Sequence, residues 1–190
     1  MSVGPDGVKR CDWAHSAPEY IAYHDDEWGR EVRGDDEVFE RIVLEAFQSG
    51  LSWITILRKR ESFRAAFAGF SIAKVAAFTK ADVDRLLNDP GIIRNRAKIE
   101  AAIANAQAAA ELPEGLSDLV WSFAPTGRRP AAPKTIADVP AITPESTAMA
   151  KELKRRGFRF VGPTTAYAHM QATGMVNDHL RDCIARKSCP

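Results

Sequence analysis

RIVLEAFQSGLSWITILR, residues Arg41 to Arg58, is the stretch that decides the fold. Between its terminal arginines it holds a single charge, Glu45, among Ile42, Val43, Leu44, Phe47, Leu51, Trp53, Ile54, Ile56 and Leu57. So much apolar surface belongs in an interior. A carboxylate carried there either finds partners, as a cap or a salt bridge, or has its pKa driven up because burial disfavours the charged form. Gln48 and Ser49 follow Glu45 at helical spacing, so a helix here bears a narrow polar strip of the kind that can line a pocket. Gly50 is expected to end that helix and Leu51 to restart a second.

Working outward, Gly34-Asp35 opens the first of these helices, with Asp35 as its cap, and the second runs from Leu51 or Ser52 to about Phe67. Upstream, residues 1–9 read as a flexible leader, and Pro18 suits the first turn of a short helix through His24. Downstream, Ser71 caps a short helix through Phe78, and Thr79 with Asp82 resembles a capping box opening a helix to about Asn88. Asp89-Pro90-Gly91 is a turn signal, and RNRAKIEAAIANAQAAAEL beyond it is strongly helix-forming. A helix covers roughly Leu116 to Phe123, and residues 125–143, with four prolines, read as a long surface loop. Thr143-Pro144-Glu145 opens a helix stopping at Gly157. Residues 158–162 are an extended link, Pro163 opens a helix ending at Gly174, and a last turn or two spans Asn177 to Ile184. With no sustained alternation of period two and no internal repeat, the fold class is all-α, with about eight to ten helices in a single domain over residues 10–190.

The chain has 190 residues, 45% apolar and 27% charged, with a net charge of +1. Nothing approaches the ~18 consecutive apolar residues of a membrane helix, and MSVGPDGVKR lacks the apolar core of a signal peptide, so a cytoplasmic protein is expected. Three cysteines, Cys11, Cys183 and Cys189, do not make a disulfide framework. Basic clusters at Arg58–Arg60, Arg94–Lys98, Arg128–Arg129 and Lys151–Arg159 are either one positive face or ordinary solvated helix faces.

Three constellations carry chemistry. His179 and Cys183, four apart, project from one face if they lie on a helix. With Cys11 and His24 they make a Cys2His2 set suited to one tetrahedral zinc ion, which with four protein ligands is structural; the alternative is buried free thiols and hydrogen-bonded imidazoles. Cys189 is then a spare exposed thiol. The turn from Leu87 to Asn95 offers backbone N–H groups to phosphate oxygens, with Arg94, Arg96 and Lys98 close by, or else is a plain hairpin between helices. Trp13, Tyr20, Tyr23, Trp28 and Trp53 are either core or a stacking pocket for a flat ligand such as a flipped purine. The nucleotide-triphosphate, nucleophile-elbow and HExxH motifs are absent.

The runs RCDWAHSAPEYIAYHDDEWG, LEAFQSGLSWITILRKRESFRAAF, DPGIIRNRAKIEAAIANA, VWSF and KRRGFRFVGPTTAYAHMQATGMVNDHLRDC resemble the 3-methyladenine DNA glycosylase I family in order and spacing, from about Arg10 to Cys183. The resemblance implies a helix-hairpin-helix glycosylase fold whose termini meet at one structural zinc, held by Cys11, His24, His179 and Cys183. It implies Glu45 as the pocket glutamate, an aromatic pocket of Trp13, Tyr20, Tyr23, Trp28 and Trp53, and DNA contacts from Gly91, Ile92, Ile93 and Arg94. It places on Gly50 and Leu51 the plug that fills the gap left by a flipped base. It further implies a monofunctional, monomeric enzyme that acts on double-stranded alkylated DNA, off the membrane, and releases free 3-methyladenine. The wider superfamily's catalytic aspartate has no counterpart in this family.

Overall fold

The computed structural model describes residues 1–127 and 130–189. Among them are nine α-helices: α1 Pro18–Ala22, α2 Asp35–Gln48, α3 Trp53–Ala66, α4 Ile72–Ala76, α5 Lys80–Leu87, α6 Arg96–Ala110, α7 Leu116–Trp121, α8 Pro144–Arg155 and α9 Pro163–Ala172. The fold is predominantly helical, as the periodicity predicts. The segment expected as a flexible leader carries the one sheet among the described residues, Ser2–Val3 (β1) antiparallel to Lys9–Arg10 (β2). Among the described residues no helix is long and apolar enough to cross a membrane.

α2 is the central strut, packed by α3, α4, α6, α7 and α9. Val38, Phe39, Ile42, Val43, Leu44 and Phe47 are all at most 2% exposed, so the helix buries nearly its whole circumference in the core. Phe47 meets Phe63 of α3 edge-on at 4.8 Å, and Phe67 stacks on Phe70 at 5.6 Å. A second, smaller cluster joins Cys11, Leu180, Cys183 and Ala185 under Trp13, tying the two ends of the chain together.

Local chemistry accounts for most boundaries. Thr79 and Asp82 form the expected capping box, Asn95 accepts from the Lys98 amide to cap α6, and Gly157 and Gly174 follow their helices with φ of 97° and 77°. Asp35 departs from expectation. Gly34 is the cap residue of α2, and Asp35 is its first helical residue. Its carboxylate instead accepts from the Ser117 amide at 2.7 Å, capping α7 across the structure, as Asp36 does for Ile72 of α4 at 2.8 Å. In the tail, residues 177–183 hold a bend at 179 and one turn at 181–182 in otherwise irregular backbone, and the only regular tail element among the described residues is a 3-10 segment, Ile184–Ser188.

Candidate active site

α1 gives way at Tyr23 to a π-helical turn, Tyr23–Glu27. The wider turn buries two consecutive side chains, Tyr23 at 4% and His24 at 0% exposed, and sends them to two different sites.

His24 faces the termini. Its Nε2 is 3.3 Å from Cys183 Sγ, which is 3.5 Å from His179 Nδ1, and Cys11 Sγ lies 3.9 Å from the same nitrogen. The four ligand atoms are within 4.8 Å of one another and all four residues are buried, so the set could hold one metal ion. Each imidazole is oriented from behind: His24 Nδ1 by the Asp25 carboxylate at 2.7 Å and His179 Nε2 by the Trp28 carbonyl at 3.1 Å. Arg10 in turn grips Asp25 through Nε and Nη2. His179 and Cys183 reach the cluster from irregular backbone around one turn and not from a helix face. Cys189 is half-buried and not simply exposed, with its thiol 3.8 Å from the Trp28 carbonyl.

Tyr23 faces a cavity of about 340 Å³. Trp13, Tyr20, Tyr23, Trp28, Trp53, Glu45 and Gln48 all line it. Trp13 packs between the two sites, with its ring 5.0 Å from His24 and 5.2–6.3 Å from Tyr20, Tyr23 and Trp28, and Cys11 of the cluster lines the cavity beside it. Tyr23 and Trp53 pack at 5.5 Å with their planes tilted by 44°. The Trp53 indole N–H is buried without a hydrogen-bond partner among the described residues.

Glu45 is 6% exposed and lines the cavity. Burial pushes its pKa up to about 8, against a smaller downward pull from Arg41. No hydrogen bond reaches its carboxyl among the described residues, so it is neither a cap nor half of a salt bridge. Behind it a cavity of about 10 Å³ is shared with Thr165 and His169. Both ring nitrogens of His169 are buried and unpartnered among the described residues, and burial, then Arg41, pushes its pKa down to about 3. Of the polar strip, Gln48 lines the main cavity while Ser49 is exposed.

Several lining residues escaped the sequence reading. Gln171 and Asp178 sit on the α9 side, with Asp178 Oδ2 accepting from Tyr167 at 2.6 Å and Gln171 at 2.9 Å. Their place beside His179 in the motif was the available signal. Ile136 and Val139 come from the proline-rich loop, which is anchored where Arg181 donates to the Pro133 carbonyl and by a Thr135–Asp138 capping box. Proline content hides that role. Arg128 and Arg129 lie outside the described residues.

The hairpin between α5 and α6 lies away from this cavity. Gly91 is needed for close approach: a Cβ there would meet Ser62 Cβ of α3 at 2.9 Å. Its amide is taken by Asp89 Oδ1 at 2.7 Å, so phosphate donors would have to be the Ile93 and Arg94 amides, which lack partners among the described residues. Ile92 is buried. Arg94 is exposed, but Arg96 pairs with Glu100 and Asp84, and Lys98 is buried, so the three cations do not form a common patch. Arg58, Arg60, Arg155 and Arg156 are likewise ion-paired. After α2, Gly50 takes φ of 81° and Leu51 stands 41% exposed.

A family profile described as methyladenine glycosylase matches residues 13–187. The DNA-3-methyladenine glycosylase 1 of Escherichia coli is 48% identical over 179 residues, covering 93% of this chain and 96% of that protein. A crystal structure of a 3-methyladenine DNA glycosylase I superposes with a TM-score of 0.89 at 46% identity, covering 96% of this chain and all of that one. The Staphylococcus aureus enzyme, whose structure addresses 3-methyladenine recognition, superposes at 0.88 with 33% identity over 93% of this chain and 96% of its own. At this identity and coverage the chain belongs to the methyladenine glycosylase family and is a glycosylase.

Proposed function

We propose that the protein excises 3-methyladenine from alkylated double-stranded DNA by hydrolysing the N-glycosidic bond, leaving an abasic site. The observation that carries this reading is Glu45, a buried carboxyl with no partner of its own, set in an aromatic-walled cavity large enough for a purine. The named relatives act on the same base.

An adenine alkylated at N3 is cationic in the nucleotide and is already a good leaving group. What the protein must supply is extraction, capture and shielding of the sugar's developing positive charge. Flipping costs a few kcal/mol, less for a damaged base. Stacking returns ~1–3 kcal/mol for each stacked base, and a cationic ring gains more from the negative faces of Tyr20, Tyr23, Trp13, Trp28 and Trp53. Burial biases Glu45 toward its protonated form in the empty pocket; the arriving cation favours the carboxylate, which releases its proton to solvent and accepts hydrogen bonds from the base edge. The Ile93 and Arg94 amides of a helix-hairpin-helix element grip the DNA backbone, and Leu51 wedges into the stack beside Gly50. Cys11, His24, His179 and Cys183 fit a single structural zinc ion: two thiols and two imidazoles, each imidazole steered from behind. It would hold the termini, and with them the Trp13 wall.

The test is base release from methylated duplex DNA, with products separated by chromatography. The wild-type chain releases 3-methyladenine, and Glu45→Gln is slower by at least a hundredfold. Release at wild-type rate by Glu45→Gln would remove Glu45 from the chemistry.

A further inference from the structure

Lys98 carries the most unusual charge in the molecule. It lies in the first turn of α6 and is only 8% exposed, yet no carboxylate pairs with it among the described residues. Its ammonium donates instead to two backbone carbonyls, Phe47 O at 2.8 Å and Ser49 O at 2.5 Å. Burial pushes its pKa down. A desolvated cation held only by neutral dipoles is a standing penalty that an apolar side chain of similar length would not incur.

Its position indicates what the penalty maintains. The two carbonyls belong to the last turn of α2 and to its C-cap residue, Ser49, where the helix dipole presents its negative end. Immediately beyond are Gly50, in the left-handed region with nothing within 4 Å of where a Cβ would stand, and the exposed Leu51. No neighbouring side chain packs over Gly50, and among the described residues only Lys98 hydrogen-bonds residues 47–51 through a side chain. At its other end Lys98 belongs to the hairpin: its own amide is the donor that Asn95 accepts at 3.1 Å, directly after the free Ile93 and Arg94 amides. One residue therefore joins the two DNA-facing elements.

We infer that Lys98 is a positioning residue for the Leu51 wedge, holding the Ser49–Leu51 turn in register with the hairpin so that gripping the backbone and inserting Leu51 are one event. This rests on the reading of Leu51 as the wedge. Without the ammonium the turn is tethered by backbone alone, and part of the binding energy goes to ordering it on DNA.

A double-mutant cycle tests it, with Lys98→Met, Leu51→Ala and the pair. Single-turnover base release from methylated duplex is the first readout, and binding of free 3-methyladenine, followed by tryptophan fluorescence, is the second. Lys98→Met should slow release at least tenfold, the double variant should be no slower than the slower single variant, and free-base affinity should stay within twofold of wild type. Unchanged release by Lys98→Met, additive losses, or a parallel loss of free-base binding would each overturn the inference. Undiminished release by Leu51→Ala would instead sink the wedge itself, a separable result. If Lys98→Met does not fold, Lys98→Gln, whose amide can still reach one carbonyl, carries the same comparison with a smaller loss.

Discussion

Two buried polar sites lie on either side of Trp13, and they treat their polar groups in opposite ways. At the Cys/His cluster every group has a partner: the thiols and imidazoles face one another, Asp25 and the Trp28 carbonyl fix the rings, and Arg10 fixes Asp25. At the Glu45 pocket Gln171 and Asp178 are paired, but the groups around Glu45 are left waiting. No hydrogen bond reaches the Glu45 carboxyl, and the Trp53 N–H and both nitrogens of His169, which faces the small cavity behind Glu45, are buried without partners among the described residues. A network satisfied within the chain holds structure together, whereas buried groups without partners are costly unless something binds them. The contrast supports the proposed division, one site holding the fold and the other receiving a ligand, and it can be attacked from both ends.

The largest effect belongs to the satisfied side. A structural zinc contributes on the order of 10 kcal/mol of folding free energy, comparable with the whole stability of a domain. Cys183→Ala is expected to abolish cooperative thermal unfolding, and wild-type protein should carry one zinc by mass spectrometry and lose the transition with chelator. A melt unchanged by Cys183→Ala would reduce the cluster to ordinary packing.

The unsatisfied side predicts a smaller effect of unusual sign. Glu45 ionises at an ordinary 4.5 when unfolded but near 8 when folded. The folded state therefore holds a proton that the unfolded state releases, and stability falls as pH rises through that window. His169 goes from an ordinary 6.5 to about 3, so the unfolded chain takes up a proton that the folded ring refuses, and stability falls as pH drops through the lower window. The two slopes oppose each other between pH 4.5 and 6.5, where stability should be flat. At ~1.4 kcal/mol per tenfold in proton affinity, each displacement is worth on the order of 5 kcal/mol at its limit. Glu45→Gln should therefore raise Tm at pH 8.5 and leave it unchanged at pH 4.5, while weakening activity. A Tm gain equal at both pH values would show that Glu45 is not the buried acid described here.

That pocket was largely legible in the sequence, because a lone acid in an apolar run is conspicuous at any fold. So was the Cys/His cluster, by residue type if not by local structure. His179 and Cys183 look like one helix face at spacing four, yet a bend and one turn deliver them, since convergence on a centre needs no regular backbone. Asp35 looks like a local cap because capping has a local signature; that it caps α7 instead depends on contacts 82 residues away. Lys98 reads as a surface cation beside Arg94 and Arg96 because charge is the strongest exterior signal, and only the packing of α6 against the end of α2 turns it inward. The proline-rich loop shows its composition and conceals that Ile136 and Val139 reach the cavity.

The smallest expected effect asks how far the satisfied network extends. Asp25 touches two partners, the His24 ring at 2.7 Å and Arg10 through Nε and Nη2. A carboxylate behind a metal-bound imidazole fixes its tautomer and raises its basicity, and losing such a partner typically lowers metal affinity 10- to 100-fold. Asp25→Asn keeps the shape and one acceptor oxygen but removes the charge, so it should weaken zinc binding by about that factor in competition with a chromophoric chelator. At saturating zinc it should leave free 3-methyladenine binding intact, because the four ligands that hold the termini and the Trp13 wall are all still present. Unchanged zinc affinity would mean that Asp25 serves Arg10 and the β1–β2 end of the chain, and that the satisfied region stops at the four ligands. A loss of base binding in step with zinc would mean that the Trp13 wall transmits, and that the waiting pocket owes its shape to the cluster behind it.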